Sequence, residues 1–472
     1  MSNILVICSD QHHPRMAGYL GHDLVKTPHL DALAAGGTYF DRAYCNSPVC
    51  TPSRMSFITG KYVHQIDNWM IGVPLPPAEM TWARRLDQAG IPSTMLGKMD
   101  FCGEYQDGGF TDHRIIHRRE AWDELPRHEP WDARLDGYTR ADKRMHLVNA
   151  GPRPSHSMVE TTGKWDSYDH DRVITDWALE YLESADTGPW ALYLGYLMPH
   201  WPFSVPEEFY NMYYPDNIHL PHDANFPNDT LHPALRHFQK ALDLGEVSED
   251  MLRRVLAAYY GMVTCLDSMI GEVLSLMRRR GLLEDTHIIY TSDHGESLGE
   301  HGLFYKQCSY EGSVGVPVIV SGPGIPGNQR IHDPVSLVDM YPTIMDMAGL
   351  ETEPNRPGES WLKLARDGSR TKDYAFAEFH GNFLRHDWFM LVRGDYKYTF
   401  YEKERSSLFH LPSDPQELND LAGNPEYDSV ISEFEILLRS ICDPSEVSDR
   451  AKRDLGLIGP DGHDFTEDVT GP

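Results

Sequence analysis

The chain has 472 residues, with 71 acidic side chains against 42 basic ones and a net charge of -29 at neutral pH. We expect such an acidic protein to repel nucleic acid, anionic membranes and extended polyanions such as heavily sulfated glycans. A small anionic substrate can still bind where positive groups cluster. With 40% hydrophobic residues the chain can bury a large core, which predicts one large domain with a smaller one and excludes a disordered protein.

The first residues of the chain and the pattern of its cysteines allow a prediction of the cellular compartment. The first residues already predict a strand, without a preceding basic start, apolar stretch and cleavage site, so we expect no secretory signal. No apolar run of eighteen residues predicts a membrane span. The seven cysteines are scattered and form no CxxC pair. Together these features predict a cytoplasmic protein with reduced thiols.

Short apolar runs that end in polar residues alternate with helical patterns over most of the chain. The predicted strands are Ile4 to Ser9, Ser93 to Gly97, Trp190 to Leu197, His287 to Ser292 and Val318 to Ser321. The clearest predicted helices are Arg172 to Ser184 and Met251 to Arg279. This alternation predicts an α/β fold in which helices cover both faces of a large, mostly parallel sheet. Ligand sites in such folds lie beyond the carboxyl ends of the strands.

The short helix predicted within the segment CTPSRMSFITGKY begins near Cys50 and ends at Gly60. The N–H groups and the dipole at the start of a helix favour an anion. Arg54 lies one turn further along on the same face. Cys50 and Arg54 are therefore predicted to face one tetrahedral oxyanion. The alternative is an ordinary helix that begins near a buried cysteine.

Metal ligands and charged groups follow several of the predicted strands. These residues are Asp10, Gln11, Lys98, Asp100, His200, Asp293 and His294. Three side-chain oxygens and one imidazole nitrogen, from Asp10, Gln11, Asp293 and His294, suit Ca²⁺, Mg²⁺ or Mn²⁺, and the nitrogen favours Mn²⁺ or another transition metal. The alternative for Asp293 and His294 is a turn that caps a helix.

A smaller domain is predicted after residue 370. Its strands are Ala375 to Phe379, Phe389 to Arg393 and Tyr396 to Tyr401, with a hairpin turn at Gly394-Asp395 and a helix near Tyr427 to Cys442. We therefore predict a catalytic domain over 1–370, a small α+β domain over 371–442 and a polar tail over 443–472. The tail is either irregular or packs on a second subunit of a homo-oligomer. The irregular stretch from Phe101 to Lys164 is predicted to form a lid or substrate loop.

The string Cys50-Thr51-Pro52-Ser53-Arg54, followed by Thr59-Gly60, resembles the signature of the type I sulfatases of the alkaline phosphatase superfamily. In that family a formylglycine-generating enzyme recognises Cys, Pro and Arg at this spacing and converts the cysteine to formylglycine. Other family strings follow in order: Asp10-Gln11, Gly97-Lys98-Met99, Pro199-His200, Asp293-His294-Gly295-Glu296 and Lys306. They are most similar to choline sulfatases and phosphonate monoester hydrolases.

The resemblance implies hydrolysis of a small aryl or alkyl sulfate ester at a formylglycine made from Cys50. One divalent metal, Ca²⁺ or Mn²⁺, would be held by residue 50 together with Asp10, Gln11, Asp293 and His294. One hydroxyl of the hydrated aldehyde would attack sulfur, and deprotonation of the second would then expel sulfate and regenerate the aldehyde.

The resemblance also assigns roles to the charged residues. Arg54 would hold the formylglycine oxygens and the metal ligands, Lys98 and Lys306 would bind sulfate oxygens, and His200 would donate a proton to the leaving group. Asn68 resembles an asparagine that contacts sulfate. Asp100 stands where many sulfatases have a histidine. It either faces a cationic leaving group, tunes a neighbour or is an ordinary surface aspartate.

Two alternatives to a sulfatase stay open at this point. The same site could hydrolyse a phosphonate monoester or a phosphodiester, because these esters present a similar tetrahedral oxyanion. Alternatively, the chain could be a non-catalytic protein that binds anions with an unmodified Cys50. The alcohol part of the substrate is not predicted, because Trp122, Trp131, Trp165 and Trp201 could line a pocket or belong to the core.

Overall fold

The structure is a computed structural model. It describes residues 2–103, 105–115, 159–160, 167–185, 188–216, 218–221, 231–241, 247–381 and 386–458. Most of the predicted lid or substrate loop, the residues Trp122, Trp131 and Trp165, and the last part of the predicted tail lie outside the described residues.

The secondary structure alternates between strands and helices in the large domain. The strands are β1 Asn3–Ser9, β2 Thr38–Phe40, β3 Ala43–Tyr44, β4 Ser93–Gly97, β5 Asp112–Arg114, β6 Val159–Glu160, β7 Ala191–Gly195, β8 Phe203–Ser204, β9 Thr286–Ser292, β10 Val318–Ser321, β11 Gln329–Ile331, β12 Val335–Ser336, β13 Tyr374–Phe379, β14 Trp388–Arg393, β15 Tyr396–Tyr401 and β16 Ser407–His410. The helices are α1 Pro28–Ala35, α2 Cys50–Thr59, α3 Val63–Ile66, α4 Trp82–Gln88, α5 Ser167–Ser184, α6 Glu207–Tyr210, α7 Pro233–Ala241, α8 Glu249–Arg280, α9 Glu311–Val314, α10 Met340–Met347, α11 Trp361–Asp367, α12 Asp428–Ile441 and α13 Pro444–Asp454.

The centre of the large domain, within the described residues, is an eight-stranded sheet in the order β11-β2-β10-β9-β1-β7-β4-β5. The strands β9, β1, β7, β4 and β5 run parallel to one another. Strand β10 runs antiparallel to both of its neighbours. The sheet is therefore mixed but mostly parallel, which confirms the predicted α/β class.

Burial explains why β1 occupies the middle of this sheet. All seven of its residues are buried, and its run Ile4-Leu5-Val6-Ile7 is apolar throughout. A strand that is covered on both faces needs such a run, because each side chain meets a helix layer. Helices α1 and α5 pack against α8, while α2, α4 and α11 pack against α10. No helix among the described residues is both long and apolar enough to cross a bilayer.

The small domain has the predicted antiparallel sheet, in the order β13-β14-β15-β16. Arg393 pairs with Tyr396, so the hairpin turns at Gly394-Asp395 as predicted. The fourth strand, β16, has only four residues and was not predicted from the sequence. Helix α12 covers this sheet with Phe434 and Leu438, which are buried in a cluster that includes Tyr398.

The structure differs from the prediction for the beginning of the tail, 443–472. Residues 444–454 form α13, in which Val447 and Ala451 are buried in the same cluster as Phe376 of the small domain. Asp443 begins this helix by accepting hydrogen bonds from the backbone N–H groups of the next turn. This part of the tail therefore packs on its own chain, because two apolar residues at helical spacing complete the core of the small domain.

Candidate active site

The candidate functional residues meet at the carboxyl ends of neighbouring strands. Strands β1 and β9 pair in parallel along their whole length, so Asp10 and Asp293, the residues that follow them, lie side by side. Ligand atoms of Asp10, Cys50, Asp293 and His294 lie within 4.8 Å of one another, and all four residues are buried. The structure thus brings the predicted nucleophile together with three of the predicted metal ligands.

Helix α2 has the predicted limits, since it begins at Cys50 and is followed by Gly60. Gly60 adopts the left-handed conformation, with φ of 65°, and its N–H donates to the carbonyl oxygen of Ser56. The Cβ of any other residue at this position would also lie 2.6 Å from the Tyr341 side chain. The glycine therefore ends the helix and allows it to pack closely against α10.

The Cys50 side chain lies among polar groups. Its Sγ is 3.3 Å from Nζ of Lys306 and 3.3 Å from Nε2 of His294, and 4.0 Å from Oδ1 of Asp10. Burial, and next the negative charge of Asp10, raise the pKa of the thiol to about 11. The unmodified side chain is therefore a neutral thiol in this environment, held between a cation and the candidate metal ligands.

Arg54 holds the two carboxylates of the cluster in place. Its Nε is 2.9 Å from Oδ2 of Asp293, and one terminal nitrogen is 3.3 Å from Oδ2 of Asp10. The other terminal nitrogen donates to the backbone oxygen of Lys98 at 2.8 Å and to the hydroxyl of Tyr193 at 2.9 Å. The guanidinium is fully buried, so these contacts compensate for the loss of its hydration.

Lys98 reaches the cluster because two glycines let its backbone approach β7. The N–H of Lys98 donates to the carbonyl oxygen of Gly195 at 2.8 Å. A Cβ at Gly195 would lie 2.0 Å from the Lys98 carbonyl oxygen, and one at Gly97 would lie 2.3 Å from the Gly195 carbonyl oxygen. Larger residues at either position would therefore displace Lys98.

The Lys98 ammonium bridges two carboxylates. It contacts Oδ2 of Asp10 and lies 3.3 Å from Oδ2 of Asp100. Burial by itself would raise the pKa of Asp10, but the charges of Lys98, His200 and Arg54 lower it well below its usual value. The contact with Lys98 favours the alternative in which Asp100 tunes a neighbouring group.

The donor set of the cluster fits a divalent cation. The Nδ1 atom of His294 donates to the carbonyl oxygen of Gly295 at 2.9 Å, so Nε2 presents its lone pair to the cluster. Burial lowers the pKa of His294 to about 4, which keeps the ring neutral at physiological pH. Oδ2 of Asp293 and Oδ1 of Asp10 lie 3.6 Å and 3.8 Å from that nitrogen. Two carboxylates and a neutral imidazole are the ligands that such cations take.

Gln11 connects the cluster to Lys306 and to a residue for which the sequence analysis proposed no role. Its Oε1 accepts a hydrogen bond from Nζ of Lys306 at 2.7 Å, and its Nε2 donates to Oε2 of Glu296. Glu296 is fully buried. Its position in the string Asp293-His294-Gly295-Glu296 was a signal that could have marked it. Tyr193 carried no comparable signal, because it is one of several apolar residues of a buried strand.

His200 lies at the edge of the site, where its charge lowers the pKa of Asp10. Its Nδ1 contacts the backbone oxygen of Trp201, and its ring stacks on the Trp201 ring with centroids 5.8 Å apart. The Trp201 ring in turn lies 5.5 Å from the ring of Tyr305, the residue before Lys306. These three half-buried rings form one continuous aromatic surface.

Asn68 is not joined to the cluster by any contact within the described residues. Its Nδ2 donates to the carbonyl oxygen of Val73 at 2.8 Å. Its Oδ1 is buried without a partner in the part of the chain that the structure describes. The predicted contact between Asn68 and sulfate stays a prediction.

Known proteins that are similar to this chain include sulfatases, as the residues of the candidate site suggest. A family model described as Sulfatase matches residues 2–350, and one described as N-sulphoglucosamine sulphohydrolase, C-terminal, matches residues 299–443. Arylsulfatase K of Bos taurus is 32% identical over 475 residues, which cover 94% of this chain and 82% of that protein.

Two solved structures share the fold. The phosphonate monoester hydrolase of Agrobacterium radiobacter has a TM-score of 0.78 at 24% identity, covering 93% of this chain and 95% of that one. A protein in complex with its substrate D-glucosamine-2-N,6-O-disulfate has a TM-score of 0.74 at 19% identity, covering 98% of this chain and 99% of that one. The match of the family model over most of the chain, together with the identity to arylsulfatase K, shows that the chain belongs to the sulfatase family and is a sulfuric ester hydrolase.

Proposed function

We propose that this sulfatase hydrolyses a small aryl or alkyl sulfate ester at a formylglycine that a formylglycine-generating enzyme makes from Cys50. The position of Cys50 carries the proposal. Its Sγ lies at the start of a buried helix, 3.3 Å from the ammonium of Lys306 and within the cluster of candidate metal ligands. After conversion to the aldehyde and addition of one water molecule, residue 50 would carry two hydroxyls on one carbon, one to attack sulfur and one whose deprotonation releases sulfate and restores the aldehyde.

We propose that residue 50, together with Asp10, Gln11, Asp293 and His294, holds one divalent cation, Ca²⁺ or Mn²⁺. When bound, the cation would lower the pKa of the attacking hydroxyl and neutralise charge on the substrate. Elemental analysis of protein purified without chelators, followed by exchange of the metal, tests this proposal. The proposal would be contradicted if neither Ca nor Mn were present at a stoichiometric level, or if the protein kept full activity after complete removal of metal.

The remaining charged residues have separate proposed roles in sulfate binding, in positioning the metal ligands and in proton transfer. Lys98 contacts Asp10 and Lys306 contacts Cys50, and both ammonium groups would bind the sulfate oxygens, which gain charge in the transition state. Arg54 would keep Asp10 and Asp293 in place for the cation. His200 would donate a proton to the ester oxygen as it leaves.

The aromatic surface of His200, Trp201 and Tyr305 supports an alcohol that contains a ring. Trp201 and Tyr305 are partly exposed next to two of the proposed catalytic residues, so a flat leaving group could stack there. Trp201→Ala should then raise KM more for an aryl sulfate than for a short alkyl sulfate. An equal rise in KM for both substrates would contradict the proposal that the leaving group contains a ring.

Mass spectrometry of the peptide that contains Cys50, from protein made in its native host, tests the nucleophile. Formylglycine at residue 50 is the expected result, and a thiol as the sole species would refute the mechanism and favour a protein that only binds anions. Turnover of 4-nitrophenyl sulfate should be compared with turnover of a phenylphosphonate monoester. Much faster turnover of the phosphonate would favour the phosphonate hydrolase alternative. Cys50→Ala serves as the inactive control for both substrates.

We also propose that the protein works in the cytoplasm. No two of the seven cysteines, all of which lie in the described part of the chain, form a disulfide, and five of them are buried, which fits a reducing compartment. Fractionation of native cells, combined with alkylation of free thiols, tests this proposal. Recovery of the protein in a secreted or membrane-enclosed fraction would refute it.

A further inference from the structure

The carboxylate of Glu296 uses both of its oxygens inside the protein. Its Oε1 accepts hydrogen bonds from the backbone N–H groups of Leu298, at 3.0 Å, and Tyr305, at 2.5 Å. Its Oε2 accepts a hydrogen bond from Nε2 of Gln11. Glu296 therefore joins Gln11 to the backbone of the residue that precedes Lys306.

The backbone of Gln11 is fixed on both sides. Its N–H donates to Oδ1 of Asp293 at 3.1 Å, and its carbonyl oxygen accepts from the hydroxyl of Tyr259 at 2.6 Å. The residue has φ of 67°, an uncommon conformation for a side chain of this size. These bonds hold the backbone, so the direction of the side-chain amide depends on the groups at its two ends.

The two ends of the Gln11 amide are chemically different, and their orientation decides whether the residue can bind a cation. The oxygen faces Nζ of Lys306 at 2.7 Å, and the nitrogen faces Glu296. A flipped amide would point its N–H groups at the Lys306 ammonium, where both partners are donors. It would also turn the side-chain oxygen, the amide's candidate metal ligand, away from Lys306, whose ammonium lies 3.3 Å from Sγ of Cys50 in the cluster.

We propose that Glu296 is a positioning residue that fixes the Gln11 amide with its oxygen toward Lys306 and the metal ligands. The inference rests on the metal site in the proposed function. A carboxylate suits this role because it accepts hydrogen bonds at both oxygens, from the Gln11 amide and from two backbone N–H groups. Groups that orient a ligand in this way contribute strongly to metal affinity.

Glu296→Gln tests the inference with almost no change of shape. Whichever way the new amide turns, its NH₂ group meets a donor, either the Gln11 NH₂ group or the two backbone N–H groups. Rotation of the Gln11 amide relieves the first conflict, but it removes the ligand oxygen. We expect the affinity of metal-free protein for Mn²⁺ or Ca²⁺, measured by calorimetry, to fall by about 10- to 100-fold.

Glu300→Gln is the matched control. It makes the same substitution four residues further on, at a carboxylate that contacts Arg15 and His13. We expect it to keep the metal affinity of the wild-type protein even if it lowers the melting temperature. An equal loss of metal affinity in both variants would overturn the inference, because the effect would then follow from any loss of a glutamate in this segment.

The double variant Gln11→Glu with Glu296→Gln separates positioning from a general structural role. The amide of residue 296 can then donate to a carboxylate at residue 11, whose second oxygen faces Lys306 and the cation. We expect this pair to restore most of the metal affinity. Wild-type affinity in Glu296→Gln, or failure of the double variant to restore it, would overturn the inference. If the wild-type protein itself bound neither cation, the proposed metal site would fail, and the inference with it.

Discussion

His380 gives the protein a stability that should depend on pH. Its ring is fully buried, with Nε2 3.0 Å from Oε2 of Glu378 and Nδ1 3.2 Å from Oδ2 of Asp387. Glu378 also accepts from Nδ1 of His64 at 2.9 Å, and Asp387 accepts from Oγ of Ser448 at 2.7 Å. Burial alone would lower the pKa of His380, but the two carboxylates raise it from 6.5 to about 9. The charged imidazolium therefore links α3, the small domain and α13.

The size of the effect follows from the shift of the pKa. Since the folded protein binds this proton more tightly than the unfolded chain, the contribution is complete below a pH of about 6.5 and is lost as the pH rises through about 9. At about 1.4 kcal/mol for each pKa unit, the loss is on the order of 3 kcal/mol. With an unfolding entropy of about 2 cal/mol/K per residue, this corresponds to roughly 3 °C in Tm for a chain of this length.

The variant His380→Gln gives the cleanest comparison, because it removes the titrating group and leaves both carboxylates in place. Unfolding of wild type and variant should be followed from about pH 6 to about pH 9.5, since other groups cancel in the difference. We expect the wild type to be more stable at the acidic end and its advantage to shrink by about 3 kcal/mol. His332→Gln, at an exposed histidine that contacts Asp41, is the control. A difference between wild type and His380→Gln that stays constant with pH would refute the reasoning.

Three further predictions concern the active site. Lys306→Met removes the ammonium beside Cys50 and Gln11, and kcat/KM for an aryl sulfate should fall by about 10²- to 10³-fold, in steady-state assays on protein with verified formylglycine. Arg54→Met leaves the buried carboxylates of Asp10 and Asp293 without their shared partner and should destabilise the protein by about 3–5 kcal/mol; denaturant unfolding showing less than about 1 kcal/mol would contradict this. Removal of the metal with a chelator should lower Tm, and metal added back at 100 times its Kd should restore about 2.7 kcal/mol, measured by thermal unfolding; a Tm that did not respond to either cation would contradict this.

The structural predictions that the sequence alone supported correctly are those that depend on residues close to one another along the chain. Pro52 and Gly60 marked the limits of α2, because turn and helix signals act over a few residues. The apolar run of β1 marked a covered strand in the same way. The alternation of strands and helices, together with the general rule for ligand sites in such folds, was enough to predict that Asp10 and Asp293 lie at the same end of the sheet, where the structure has them.

The contacts that complete the site depended on tertiary structure. The order of the strands decides that Asp10 meets Asp293, and no local signal encodes that order. Tyr193 became a partner of Arg54 through strand packing, and Glu296 became a partner of Gln11 through the fold of its segment.

The same division applies to the C-terminal helix α13. Asp443 and Pro444 gave a local signal for a helix start, but the surface on which it packs is formed by distant parts of the chain. The sequence by itself thus determined the limits of α2, the α/β class and which residues follow the strands, since local conformational preferences establish them. The tertiary structure decided which of those residues touch, because contacts between distant residues form only when the whole core closes around them.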